Sequence, residues 1–487
     1  MQQGAISSAG KQQAHAVDGG TRRRLLLGLI SNWISRMAGS IVQLIQVPVF
    51  LHFWSVSLYG DWLLVNAIPS YLSFSNIGFG SVAGNEMTML MGRKDQAGAL
   101  RVFQSCWWLI VLLCVAVTCL FAAVLYVLPI SRWLNLTAMS PSDAKWVIFY
   151  LGLAVLFGQL EQLIGAAYTC IGRYPYGTFV KSVMTLCAFA LMMVPVMMGC
   201  GVRTTALVLS CANAAGTLVF CVLMRRDIPW IRYGWQGANL AEIRRLSGPA
   251  VAFMGFPIGN ALNLQGTLLA VGHVLGSTDV VVFGTARTVS RIALQMVQMV
   301  NQTFWPELAS VFGAGDLRLV RALHRRACQM ALGIAAVLLA AMMTVGPWFL
   351  AHWTRHKVPP NPRLLFLLMV SVFFYSLWST SSTLLTAINR HRRLSAYYLL
   401  ATSVTIALTL VAARTHGLMG AAASLVVSEI IMDSYVLPAS LRLSEDTWSG
   451  FLHAMVQVPH ALRPHFLRLR FRRTGMAVLL PHPEPEA

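Results

Sequence analysis

Arg287 and Arg291 lie one helical turn apart in FGTARTVSRIALQMVQMVNQTF (283–304), a stretch otherwise apolar enough to cross a bilayer and free of acids. Gln295, Gln298 and Gln302 continue the same spacing of three or four residues, so all five side chains fall on one helical face. Asn32, Arg36, Gly39, Gln43 and Gln46 form a second such stripe in SNWISRMAGSIVQLIQ (31–46). Weaker polar faces run through Asn66, Ser70, Ser73 and Gly80, and through Asn260, Asn263 and Thr267.

The planar fork of a guanidinium can hold two oxygens of one phosphate, so arginines grouped at this spacing suit an anion. An arginine in mid-membrane costs about 3 kcal/mol or more unless it reaches water or a partner. Two readings follow for Arg36, Arg287 and Arg291. They line a wet, anion-binding cavity with Asn32, Gln43, Gln295 and Gln298, or they pair with buried acids. Glu161, and Glu429 with Asp433 one turn further on, are candidate partners within apolar stretches. These three serve packing, pairing or proton coupling, and one of them can partner an arginine when substrate is absent.

The elements that carry these residues are membrane helices. The chain has 487 residues, of which 56% are hydrophobic and only 11% charged, far below the charged share of a soluble domain. Twelve apolar runs are each long enough to span a bilayer: 25–47, 61–83, 104–128, 146–171, 178–199, 203–224, 248–271, 280–304, 327–351, 363–388, 394–413 and 418–440. An all-α, polytopic membrane protein is expected. Lys and Arg gather in the loops on the side of the N-terminus, which places both termini in the cytoplasm. Arg22, Arg23 and Arg24 then anchor the first helix. At about 1.5 Å per residue, Arg36 and Arg291 each lie roughly 16 Å from a membrane edge.

The net charge of +20 does not indicate nucleic acid, because the basic residues sit at helix ends and in short loops. Nine cysteines without a CxxC pair suggest neither disulfides nor a metal site. No GxxxxGK[ST], HExxH or GxSxG is present. The outer loops are too short for a glycan-processing centre, so no catalytic residue and no cofactor is expected. From Thr447 to Leu480 apolar and basic residues mix, broken at Pro464, as in an interfacial helix against acidic headgroups.

The two halves repeat. YTCIGRY (168–174) matches LTAINRH (385–391), GVRTTALVLS (201–210) matches GLMGAAASLV (417–426), and LYGDWLL (58–64) parallels VFGTART (282–288). Three separate matches at a similar offset argue for duplication. The expected organisation is a cytoplasmic tail (1–24), an N-lobe of six spans (25–226), a linker (227–247), a C-lobe of six spans (248–440) and a basic tail (441–487). Six spans per half relate the lobes by a pseudo-twofold along the membrane normal, with substrate between them.

SNWISRMAGSIVQLIQVPVFLHFWSVSLYGDWLL (31–64) and SYLSFSNIGFGSVAGNEMTMLMGRKDQ (70–96) resemble the opening of Wzx-type polysaccharide or O-antigen flippases. These belong to the multidrug/oligosaccharidyl-lipid/polysaccharide (MOP) exporter superfamily, and the resemblance covers most of residues 25–440. It implies a V-shaped fold of two six-helix lobes that flips undecaprenyl-diphosphate-linked oligosaccharide across a bacterial inner membrane for lipopolysaccharide or exopolysaccharide. It further implies contact with membrane lipids and with polysaccharide polymerase and assembly proteins. Arg36, Arg287 and Arg291 fall where such flippases carry cavity cations. Asn76 stands where many relatives have Asp, and Gly177 where an Asn is common. A cation-coupled multidrug exporter of the same superfamily is the alternative.

Overall fold

A computed structural model describes residues 19–74, 78–127, 134–313, 315–387 and 392–456. Asn76 and residues 457–487 of the basic tail lie outside these residues, as do the side chains of Asn32 and Arg36. All regular structure among the described residues is helical.

Helix α1 (Gly19–Phe53) carries the first polar stripe on one 35-residue rod. Helix α2 (Val56–Ser70) starts where the Ser55 hydroxyl accepts the Leu58 N–H at 3.1 Å, satisfying one of the orphan amides of a helix start. The expected second span is not one rod. α2 ends at Ser70, a 3-10 turn covers Tyr71–Phe74, and Gly78 in a left-handed conformation (φ 72°) opens α3 (Phe79–Gly92).

Helices α4 (Gln96–Val127), α5 (Pro141–Cys170), α6 (Tyr174–Met197) and α7 (Val202–Asp227) follow as long apolar rods. The expected seventh span is also segmented, into α8 (Leu240–Phe253), α9 (Gly255–Ala261), a π turn (Leu262–Gly266) and α10 (Thr267–Leu275). Helix α11 (Ser277–Gly313) carries both arginines, and α12 (Leu317–Thr344), α13 (Gly346–Trp353) and α14 (Pro362–Ala387) succeed it. The last two expected spans meet within α15 (Arg392–Leu443), which kinks at Gly417 (φ 57°, ψ −141°). Eight helices among the described residues are long and apolar enough to cross a membrane.

The helices sort by what covers them. Only 11% of the most apolar window of α4 is buried, against 56% for α14. In water such an exposed apolar face would be a liability, but in lipid it is at home.

Two compact units are present. The first holds residues within 1–292, 339–371 and 392–432. Its core gathers large side chains such as Phe50, Trp54 and Trp62, which stack or meet edge to face within 5.7 Å. α2 approaches the start of α11 so closely that a Cβ on Gly60 would lie 2.1 Å from the Ser277 carbonyl oxygen.

The second unit holds residues within 293–338, 372–391 and 433–487. There the short helix α16 (Trp448–Val456), the start of the expected interfacial tail, buries Phe451 against Cys328, Leu437 and Leu441. Asp446 holds the fork of Arg325 at 2.8 and 2.5 Å. Trp448, Leu452 and Val456 remain exposed on the other face of α16, as a surface-lying helix requires.

Candidate functional site

The site grows from the π turn of Leu262–Gly266 in the first unit. Widening the helix to an i→i+5 pattern loosens the normal carbonyl pairing, which is why such bulges recur at functional sites. The carbonyls of Asn263 and Leu264 take hydrogen bonds from Arg287 on α11, at 2.8 and 3.1 Å. The Asn263 side-chain oxygen (2.7 Å) and the Thr267 hydroxyl (2.6 Å) take two more. These four bonds engage both terminal nitrogens of the guanidinium, and every acceptor is neutral. Arg287 is 8% exposed, with Phe283 below it at 5.7 Å. A full positive charge is therefore held in place without being neutralised by these bonds. Glu429 on α15, also buried, lies within electrostatic reach of it.

Arg291, one turn on, is half-buried and makes no hydrogen bond or ion pair with another described residue. It faces a cavity of about 280 Å³ that Arg287 also lines. Gln43 and Gln46 of α1, Asn66 of α2 and Gln265 of the π turn supply amides to the wall, and no carboxylate is among the lining residues. Two guanidiniums and four amides in an acid-free wall can bind oxyanions and sugar hydroxyls.

The structure thus brings together Gln43, Arg287 and Arg291 of the residues expected from the sequence. Asn32 and Arg36 lie on α1, about three and two turns before Gln43, with their side chains outside the described residues. Gln295 and Gln298 belong to the second unit and do not line the cavity; the Gln298 amide donates to the Tyr375 hydroxyl at 3.2 Å. Asn301, one turn beyond Gln298, bonds Ser379 and Thr380. Of the lower stripe, Gln298 is therefore engaged by α14, while Gln302 is exposed.

The acids separate as well. Glu161 accepts from Thr217 at 3.2 Å and pairs with Lys181 at 4.0 Å; among the described residues neither Arg287 nor Arg291 pairs with it. Glu429 falls in the first unit and Asp433 in the second, both buried. Two residues escaped the sequence reading. Gln265 lies off the α-helical face of Asn260, Asn263 and Thr267, and the π turn brings it to the cavity. Asp61 is fully buried and accepts the N–H groups of Thr137, Ala138 and Met139 at 3.1, 2.7 and 2.8 Å. It ties the turn before α5 to α2.

No protein-family model matches the chain, and no curated protein sequence matches it significantly. Solved structures do match. An inward-facing multidrug resistance MATE family transporter of the MOP superfamily gives a TM-score of 0.67 at 14% identity, covering 83% of this chain and 98% of that one. The lipid II flippase MurJ in an inward closed conformation gives 0.67 at 13% identity, over 88% and 90% of the two chains. A MOP superfamily transporter from Pyrococcus furiosus, described as having a binding pocket of reversed polarity, gives 0.55 at 13% identity, over 87% and 95%. At such identities the likeness is one of fold: this chain has the all-helical fold of the MATE and MurJ transporters of the MOP superfamily.

Proposed function

We propose that the chain is a flippase that carries undecaprenyl-diphosphate-linked oligosaccharide from the cytoplasmic to the outer leaflet of a bacterial inner membrane. The observation that carries this reading is the guanidinium of Arg291, without a partner among the described residues, beside the neutrally held charge of Arg287, in a cavity with no acid among its described lining residues. Its volume of about 280 Å³ lies just below the usual ligand-pocket range of about 300–1,000 Å³. That fits the diphosphate better than the whole glycan.

In this reading Arg291 grips the diphosphate, Arg287 supplies fixed attraction, and Arg36 approaches from α1. Gln43, Gln46 and Gln265 hydrogen-bond the first sugar, and the polyprenyl chain stays in lipid. The lobes at 25–226 and 248–440 rock about the linker, with both termini cytoplasmic, and the fold shared with a lipid II flippase supports that transport class. Polymerase and assembly proteins would take the product.

The second reading is a cation-coupled multidrug exporter, favoured by the shared fold of a multidrug MATE transporter and by buried Glu429 and Asp433. An organic cation needs acids in its cavity, and the lining has none.

In a strain lacking the native protein, Arg291→Gln should abolish surface polysaccharide at an unchanged protein level. Normal polysaccharide output from that variant overturns the flippase reading. Restored drug accumulation on replacing Glu429 and Asp433 by their amides would instead establish the exporter.

A further inference from the structure

A second cavity, of about 820 Å³, lies far along the chain from the arginine stripes, between the first turns of α4 and the loop that follows α7. Arg101 and Arg232 flank it, and both are exposed. Neither makes an ion pair with a described acid. Trp108, Trp230 and Trp235 form its walls.

The loop is built rather than loose. The Gln104 amide donates to the Arg232 carbonyl and its oxygen accepts from Gly237 N, both at 2.9 Å. A Cβ on Gly237 would lie 2.5 Å from that oxygen, so glycine permits the close approach. Asn239 N donates to the Ser105 hydroxyl at 2.9 Å, and the Tyr233 hydroxyl donates to the Cys221 carbonyl at 3.1 Å. Strapped on both sides, the loop presents Trp235 outward, 71% exposed, stacked on Trp108 at 5.6 Å.

A rigid, exposed tryptophan pair beside a basic loop belongs at the headgroup level of a membrane. From Trp108 the exposed face of α4 continues through Leu112 and Val115, at i+4 and i+7, 65% and 56% exposed. The same face continues through exposed Cys119, Ala122 and Ala123, so a polar, cationic mouth opens onto an apolar strip of about 22 Å, long enough for an acyl chain. The distribution of basic loops puts this mouth on the cytoplasmic side.

We propose that this groove binds an anionic glycerophospholipid of the inner leaflet, its phosphate between Arg101 and Arg232, its glycerol against the tryptophans and one acyl chain along α4. This site does not depend on the proposed flippase activity. It would tether α4 to the α7–α8 connection through a lipid rather than through protein contacts alone.

Native mass spectrometry of the full chain, titrated with phosphatidylglycerol, phosphatidylcholine or inorganic pyrophosphate, tests it. Phosphatidylglycerol should bind, and the double variant Arg101→Gln, Arg232→Gln should weaken it about tenfold, the loss expected for two solvent-exposed ion pairs. Phosphatidylcholine should bind no better to wild type than to the variant. Arg203→Gln, whose side chain stacks on Trp146 at 4.7 Å, should leave phosphatidylglycerol binding unchanged. Equal phosphatidylglycerol affinity in wild type and double variant, or its displacement by equimolar pyrophosphate, overturns the proposal. A photoreactive phosphatidylglycerol on the wild type should label 101–108 and 230–237, and labelling confined to other segments equally overturns it.

Discussion

Asn263 accepts twice from one nitrogen of Arg287, through its main-chain carbonyl at 2.8 Å and its side-chain oxygen at 2.7 Å. Replacing Asn263 by Ala leaves a buried charged donor one acceptor short, a loss of about 2 kcal/mol. Asn263→Ala should lower the thermal midpoint of the purified protein in fluorescence-detected size-exclusion measurements. Asn260→Ala, at an exposed position of the same polar face, should leave it within error.

Asp61 makes most of its bonds through one oxygen, Oδ2, which takes the N–H groups of Thr137, Ala138 and Met139. An asparagine can present its single oxygen there and keep all three. Asp61→Ala orphans three amides in a buried turn and should cost about 3 kcal/mol. Thermal midpoints should therefore rank wild type, Asp61→Asn and Asp61→Ala in falling order, and equal midpoints for the two variants would contradict the arrangement.

Gly60 is limited by backbone, since the added methyl would meet the Ser277 carbonyl oxygen and carbon at 2.1 and 2.6 Å. Side-chain repacking cannot relieve that clash, so Gly60→Ala should sharply reduce the yield of monodisperse protein. Gly158, on α5, has nothing within 4 Å of its added methyl. Gly158→Ala should hold or raise stability by up to about 1 kcal/mol, the helix-propensity difference.

Burial alone would raise the Asp446 carboxyl, but the Arg325 fork and the Thr447 N–H outweigh it and hold the group below its ordinary range. A carboxylate depressed in the folded state stabilises it fully above the unfolded value of about 3.9, and this contribution fades as pH falls through the folded value. Amide hydrogen exchange in 448–456 should stay slow from neutral pH down to about 4, once corrected for intrinsic rates, and rise below that. Asp446→Asn should show raised exchange already at neutral pH, with little further change on acidification.

Much of this was legible in the residues. The spacing of Arg287 and Arg291, their company of amides and the apolar runs around them follow from helical periodicity, which is local. Gly417 falls in the gap expected between 413 and 418, and there the helix kinks. What could not be read depends on which helix lies beside which. Gln298 continues the arginine face at ideal spacing, yet the neighbouring α14 offers Tyr375 and takes it out of the cavity. Glu161 meets Lys181 only because α5 packs beside α6, a contact no periodicity reveals. The π turn at Leu262–Gly266 leaves no mark in a pattern of polar residues that assumes 3.6 residues per turn. Gln265 was invisible for that reason.

If the cavity takes an anion that reaches Arg287 itself, that π turn and the fork of Arg287 would be thermodynamically linked. The carbonyls of Asn263 and Leu264 and any oxyanion in the cavity compete for the same N–H groups. An anion that drew Arg287 away would release the two carbonyls and let the turn relax toward a regular α-helix. Reciprocity then requires that straightening this segment raise anion affinity by the same factor. Helix geometry in the seventh span would act as a heterotropic effector of ligand affinity in the eighth, with no second ligand involved.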